Sequence, residues 1–243
     1  MIKLIVQISQ IIITIIATLL FASCGFNTKT IDGSGNVIKQ DRKIEGAFTQ
    51  VTAEGGLEVY IVQGSTSTVV VEADDNLQPH IKTELKGSEL RISTDVNIGN
   101  AEARMVTVTL PKIEALVANG GSTLKSKTML KSDDIDLSSS SGSNIEASVD
   151  AKNVSLETSS GASLRVSGKT TMLKTESSSG SSLNAESLLA KDVKADASSG
   201  STTTVNASES LSADASSGSS INYVNTPKKL SAEENSGGSV SQE

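Results

Sequence analysis

His80 is the single histidine of this 243-residue chain, and it follows Pro79 in a connecting segment without cysteine or a second histidine beside it. A zinc site needs several such ligands. A Ser-His-Asp triad would have to be built on this one imidazole. His80 therefore reads as a solvated loop residue. The run Asp133-Asp134-x-Asp136 could hold calcium or supply an acid/base pair. It is not repeated at the equivalent place elsewhere in the chain, and it reads more simply as a charged corner. Serine is abundant, but it stands in Gly-containing turns with no Gly-x-Ser-x-Gly elbow entering a helix. Gly120-Gly121 and Gly237-Gly238 precede no lysine and open no helix, so neither is a phosphate loop. No catalytic residue, metal ligand or cofactor is assigned, and the chain is not expected to be an enzyme.

The one cysteine, Cys24, has a different chemistry in view. The chain begins Met1-Ile2-Lys3, runs through an apolar stretch over residues 11–21, and reaches Ala22-Ser23-Cys24-Gly25. That is the pattern of an export signal. Its apolar part is shorter than the roughly 20 residues of a spanning helix. Phe21-Ala22-Ser23-Cys24 resembles the bacterial lipobox, with Phe where Leu is usual. There the thiol takes a diacylglyceryl group, the signal is cut before the cysteine, and the new amine is acylated. Several acyl chains give stable anchoring without a spanning helix. With Cys24 so used, no disulfide can form within the chain, and stability must come from packing.

The elements that would carry these residues announce themselves by repetition. Asn119-Gly120-Gly121-Ser122 is followed by Ser-Ser-Gly-Ser turns or close variants, ending at Ser236-Gly237-Gly238-Ser239. The glycines Gly121, Gly142, Gly161, Gly180, Gly200, Gly218 and Gly238 follow one another at steps of 21, 19, 19, 20, 18 and 20 residues. A fixed period of this size marks a solenoid. Between turns, short alternating pieces such as Ile145-Glu146-Ala147 and Leu164-Arg165-Val166 put aliphatic side chains inside and charged ones outside. The reading is all-β: a right-handed parallel β-helix of about 18–21 residues per coil, with those seven glycines at its corners. Before it, Leu57-Glu58-Val59-Tyr60-Ile61-Val62, Val69-Val70-Val71 and Met105-Val106-Thr107-Val108 alternate as strands, and Lys86-Gly87-Ser88 marks a hairpin.

Composition narrows the partners. The formal net charge is −7 and the pI about 4.9, which argues against nucleic acid. Three Phe, two Tyr and no Trp leave the core to aliphatic residues. Tyr60 and Tyr223 alone offer little for stacking sugars.

The segments Gly33-Ser34-Gly35, Gly46-Ala47-Phe48-Thr49-Gln50-Val51, Gly56-Leu57-Glu58-Val59-Tyr60-Ile61-Val62-Gln63-Gly64 and Gly87-Ser88-Glu89-Leu90-Arg91-Ile92 resemble the head GIN domain family. Its members are mostly exported lipoproteins of Bacteroidetes described as auto-transporter adhesins. The resemblance covers nearly all of the mature chain. It implies a β-helical fold and a cell-envelope location, and brings no catalytic residues. The expected organisation is a signal peptide over 1–23, a lipidated tether over 24–40, a β-rich half over 41–112 and the Ser/Gly-turn repeats over 113–243. The expected function is a non-enzymatic, lipid-anchored outer-membrane protein, facing the periplasm or the cell surface, that displays a rod as an adhesin or scaffold. Its partners are the membrane, through the anchor, and a glycan or protein at the cell surface. The alternative is a carbohydrate-active or glycan-binding β-helix protein.

Overall fold

The computed structural model describes residues 29–243, so the expected signal peptide over 1–23 and Cys24 lie outside the described residues. No described residue is helical, and stacked parallel coils make a β-solenoid of about 7 turns. The coil Asn144–Thr158 shows how the sequence bends the chain. Ile145, Ala147, Val149 and Ala151 are buried in alternation, Lys152 and Asn153 are both exposed, and alternation resumes with Val154, Leu156 and Thr158. Two outward residues in succession flip the phase of a strand, and the chain must turn there to keep burying its apolar side. Asp133-Asp134, Thr171-Met172 and Lys191-Asp192 make the same corner in neighbouring coils.

Parallel register aligns equivalent side chains along the stack. One interior column runs Leu116, Leu137, Leu156, Thr175, Ala195 and Ala213. Another runs Leu124, Ile145, Leu164, Leu183, Thr203 and Ile221. These side chains are buried from solvent. The core is thus a strip extended by one layer per coil, each layer resting on its neighbours.

The expected boundary at 112/113 is not a break in the stack. Strand Gln50–Ala53 pairs in parallel with Glu89–Thr94 on one side and with Ala115–Ala118 on the other. Strand Glu58–Gln63 lies likewise between Arg104–Leu110 and Thr123–Ser126. Coil order in space therefore departs from chain order: the segment that precedes the repeats forms the outer layer, and the chain then returns to the inner face of residues 50–63.

That outer layer is closed by antiparallel pairs. Thr68–Asp74 runs against Arg104–Leu110, and Ile81–Lys86 against Glu89–Thr94. The tether expected over 24–40 also ends sooner, because Val37–Arg42 pairs antiparallel with Thr68–Asp74. Asp74 fastens this strap. It is fully buried, and its carboxylate accepts the N–H groups of Gly35 at 2.5 Å and Ala103 at 3.1 Å. Those backbone donors, Ala103 foremost, hold its carboxyl below the usual aspartate range.

Candidate interaction surface

Each Gly turn is built from two left-handed residues. In Ser140-Ser141-Gly142-Ser143, Ser141 has φ 55° and Gly142 φ 70°, and the N–H of Ser143 donates to the carbonyl of Ser140 at 3.3 Å. Positive φ at both central positions is the type I′ arrangement. It aims the glycine N–H along the stack. Gly142 donates to the carbonyl of Ser160 at 3.1 Å, and Gly161 to that of Ser179 at 3.1 Å. The fourth residue is turned inward. Ser143 Oγ donates to the carbonyls of Ala118 at 2.6 Å and Ser140 at 2.7 Å, and Ser219 and Ser201 reach the preceding coil in the same way. These three serines satisfy buried backbone carbonyls, whereas the hydroxyl of Ser122 in the first turn is buried without a partner among the described residues.

Six of the seven expected glycines, Gly121, Gly142, Gly161, Gly180, Gly200 and Gly218, occupy one column with φ between 67° and 75°. Gly238 is a correction. In the last coil Asn235 registers with Ser216, so Gly237, with φ 79°, takes the column, and Gly238 takes the place of the inward serine. A side chain on Gly238 would strike the carbonyl oxygen of Ala215, which explains glycine there.

The residues with catalytic potential are held apart. His80 Nδ1 lies 2.7 Å from Asp95 Oδ1, and Lys82 shares that carboxylate at 3.2 Å. The bond from His80, and then that from Lys82, hold the Asp95 carboxyl below its usual range. Asp133 is paired with Lys152 at 2.7 Å and Asp134 accepts the amide of Asn153 at 2.7 Å, so these two are engaged by the corner of the coil above, while Asp136 is exposed and registers with Ser155 beyond it. Among the described residues no three acidic, histidine or cysteine side chains are arranged to hold one ion. Tyr60 is covered by Lys127, whose Nζ stands 4.1 Å from the ring centre, and Tyr223 packs on the core.

At several places on the outer walls, vertical neighbours have opposite sign: Lys125 meets Glu146 at 3.1 Å, Lys152 meets Asp133, Lys169 meets Asp150 at 3.3 Å, and Lys228 meets Glu209 at 2.8 Å. Two adjoining rows break this pattern: Lys174 registers with Lys194, and beside them runs a longer acidic row. Glu157, Glu176, Asp196, Asp214 and Glu233 stand directly above one another. Strand spacing puts them about 4.8 Å apart by backbone. Lys174 and Lys194 partly neutralise Glu176 and Asp196. With the turn serines Ser178, Ser198 and Ser216, the first four carboxylates border a shallow hollow of about 270 Å³.

A second, larger groove of about 560 Å³ lies at the phase-flip corner, bordered by Lys152, Lys169, Lys191, Thr171, Leu189 and Ser208. Lys152 and Lys169 each bind an acid of the coil below. Lys191 lies over Thr171 instead, between the register pairs Thr170–Ala190 and Met172–Asp192. Leu189 and Met172 beside it are 48% and 55% exposed, unusual for large apolar side chains. Sequence reasoning missed both walls, since each exists only when residues about 19 apart are stacked.

With the coil, the turns and the two walls in place, comparison with known proteins is informative. The family described as "Putative auto-transporter adhesin, head GIN domain" matches residues 47–227. The chain belongs to the head GIN domain family. A crystal structure described as a "putative adhesin" from Bacteroides fragilis has a TM-score of 0.82 at 21% identity, covering 88% of this chain and 100% of that one. A "putative lipid binding protein" from Parabacteroides distasonis has a TM-score of 0.73 at 17% identity, with 88% and 100% covered. A "putative adhesin" from Parabacteroides merdae has 0.72 at 14%, with 88% and 99% covered. At these identities the likeness is one of fold. No curated protein matches the chain. The family points to an adhesin-like protein of the cell envelope or surface.

Proposed function

We propose that this head GIN domain protein is a non-enzymatic, lipid-anchored envelope protein that displays its β-solenoid as an adhesin or surface scaffold. The observation that carries this is the acidic column from Glu157 to Glu233. Like charges stacked across strands cost stability, and the pairs Lys125–Glu146, Lys152–Asp133 and Lys169–Asp150 show that opposite-sign stacking was available to the fold. A straight row of equivalent charges suits recognition of an extended surface through many weak contacts. The family and the relatives described as adhesins support the same reading.

Lipidation of Cys24 would set the orientation. Nine residue steps from Cys24 to Gly33 span at most about 32 Å, and Gly33 is fastened by its N–H to the carbonyl of Asn100 at 2.7 Å. The closed end of the stack would then face the membrane and the repeats would project from it. Cells fed labelled fatty acid should label the protein, and Cys24→Ala should abolish the label and release the protein from the membrane fraction. Label surviving Cys24→Ala would remove the anchor. Neutralising Glu157, Glu176, Asp196, Asp214 and Glu233 together should lower attachment of protein-displaying cells to host-cell or matrix surfaces. Unchanged attachment would remove the acidic wall from the reading.

The lysine-bordered corner favours a second reading, an acidic-glycan-binding protein. Lys191 is exposed, has no acid beneath it, and lies beside hydroxyls and an open apolar patch. A screen of acidic and neutral glycans separates the two: binding lost in Lys191→Glu supports this reading, and turnover of any glycan would overturn the non-enzymatic one.

A further inference from the structure

The interior column nearest the turns is made of small side chains. Ala118, Ser139, Thr158, Ser177, Ala197 and Ala215 succeed one another in register, and all are buried. Space is narrow there because the chain is about to reverse at the turn. The next member, in strand Lys229–Asn235, is Glu234. A glutamate does not fit a column sized for alanine and serine. Its carboxylate instead accepts the N–H of Val240 at 2.7 Å, joining the two strands of this coil across its open side.

The surroundings show that this coil has no layer above it. Every residue of Lys229–Asn235 is exposed. Leu230 is 47% exposed, whereas Leu211, its register partner in the coil beneath, is 2% exposed. Such an end presents apolar layer and strand edge to any other chain that offers the same. The other end of the stack is closed by antiparallel strands, so the same open end of a second copy is the nearest hazard.

We propose that Glu234 is the closing element of the stack: its charge, held over the last interior layer, blocks a coil of a second copy from seating there. Seating would bury the carboxylate among alanines and serines with no cation to meet it, an unfavourable desolvation. An inward-pointing charge on an edge is a known protection against edge-to-edge pairing. The proposal is independent of the adhesin reading, since it concerns association between copies of this chain and not attachment to another surface.

The test is the self-association of the full chain in detergent, followed by sedimentation and light scattering over a hundredfold range of concentration. Wild type is expected to stay at one chain per particle. Glu234→Ala, which restores the small residue of the column, is expected to associate at least tenfold more tightly. Glu234→Gln keeps the size and removes the charge, and is expected to associate as well. Adding Ala232→Lys to Glu234→Ala places a new inward charge on the same edge and should return the protein to single chains. The proposal is overturned if wild type already associates as tightly as Glu234→Ala, if a folded Glu234→Ala stays at wild-type mass, if Glu234→Gln behaves as wild type, or if Ala232→Lys has no effect.

Discussion

Thr175 stacks directly on Leu156 in the interior column, and its buried hydroxyl has no hydrogen-bond partner. The column continues with Ala195 and Ala213, so nothing polar faces it from the other side either. A buried hydroxyl left unpaired costs about 1–3 kcal/mol. Thr175→Val keeps the shape and removes the unmet group. It should stabilise the protein by about 1 kcal/mol, seen as a rise in Tm of about 2–4 °C for a domain of this size. A fall in Tm would mean that the hydroxyl is bonded in solution.

The turns predict a graded response to substitution. Gly180 has φ 67° and open space where a Cβ would stand. Gly180→Ala should cost about 1–2 kcal/mol, the left-handed penalty alone. Gly168, at φ 119°, marks a register irregularity, and a Cβ there would lie 2.0 Å from the carbonyl oxygen of Val149. Gly168→Ala should cost about 3 kcal/mol or more. Ser179, at φ 54°, is a non-glycine in the same left-handed region. Ser179→Asn should gain a few tenths of a kcal/mol, since asparagine is preferred in that place. Urea unfolding of the three variants orders them.

Asp74 makes the strap sensitive to acid. Its folded carboxyl is held below the usual value by backbone donors, Ala103 first. The unfolded chain titrates near the ordinary aspartate value of about 3.9. Its contribution to stability is therefore complete above about pH 4 and is lost as pH falls through the lower folded value. Asp74→Asn should melt several degrees below wild type at neutral pH, with the gap closing in acid. A gap independent of pH would assign the effect to packing.

The acidic column should respond to salt in the opposite sense to the paired columns. Asp214→Asn relieves repulsion from Asp196 and Glu233. A gain of about 0.2–0.5 kcal/mol at low ionic strength is expected, shrinking as screening sets in near physiological salt. Lys125→Ala, which breaks a pair with Glu146, should lose stability at low salt. Equal responses of the two variants to salt would show that the rows do not differ electrostatically.

Much of the solenoid was legible because its information is periodic. Ile145, Leu164 and Leu183 are 19 residues apart and stack in the structure at that same step. The turn glycines marked the corner for the same reason. Gly238 misled because two glycines stood together, and only pairing with the coil beneath shows which one is left-handed. The serine before each glycine gave no sign of its positive φ, since serine is common in turns of every type.

Sequence alone determined that the chain winds: inward aliphatics, small turn residues and a constant step leave no other way to bury an apolar strip. It also placed Cys24 behind an export pattern. Tertiary structure decided what the period cannot encode. It set the order in which coils lie, with residues 89–110 outside residues 50–63, because strand pairing follows edges and not chain order. It brought Glu157, Glu176, Asp196, Asp214 and Glu233 into one row and set Glu234 over the open end, because side chains about 19 apart become neighbours only when backbones stack.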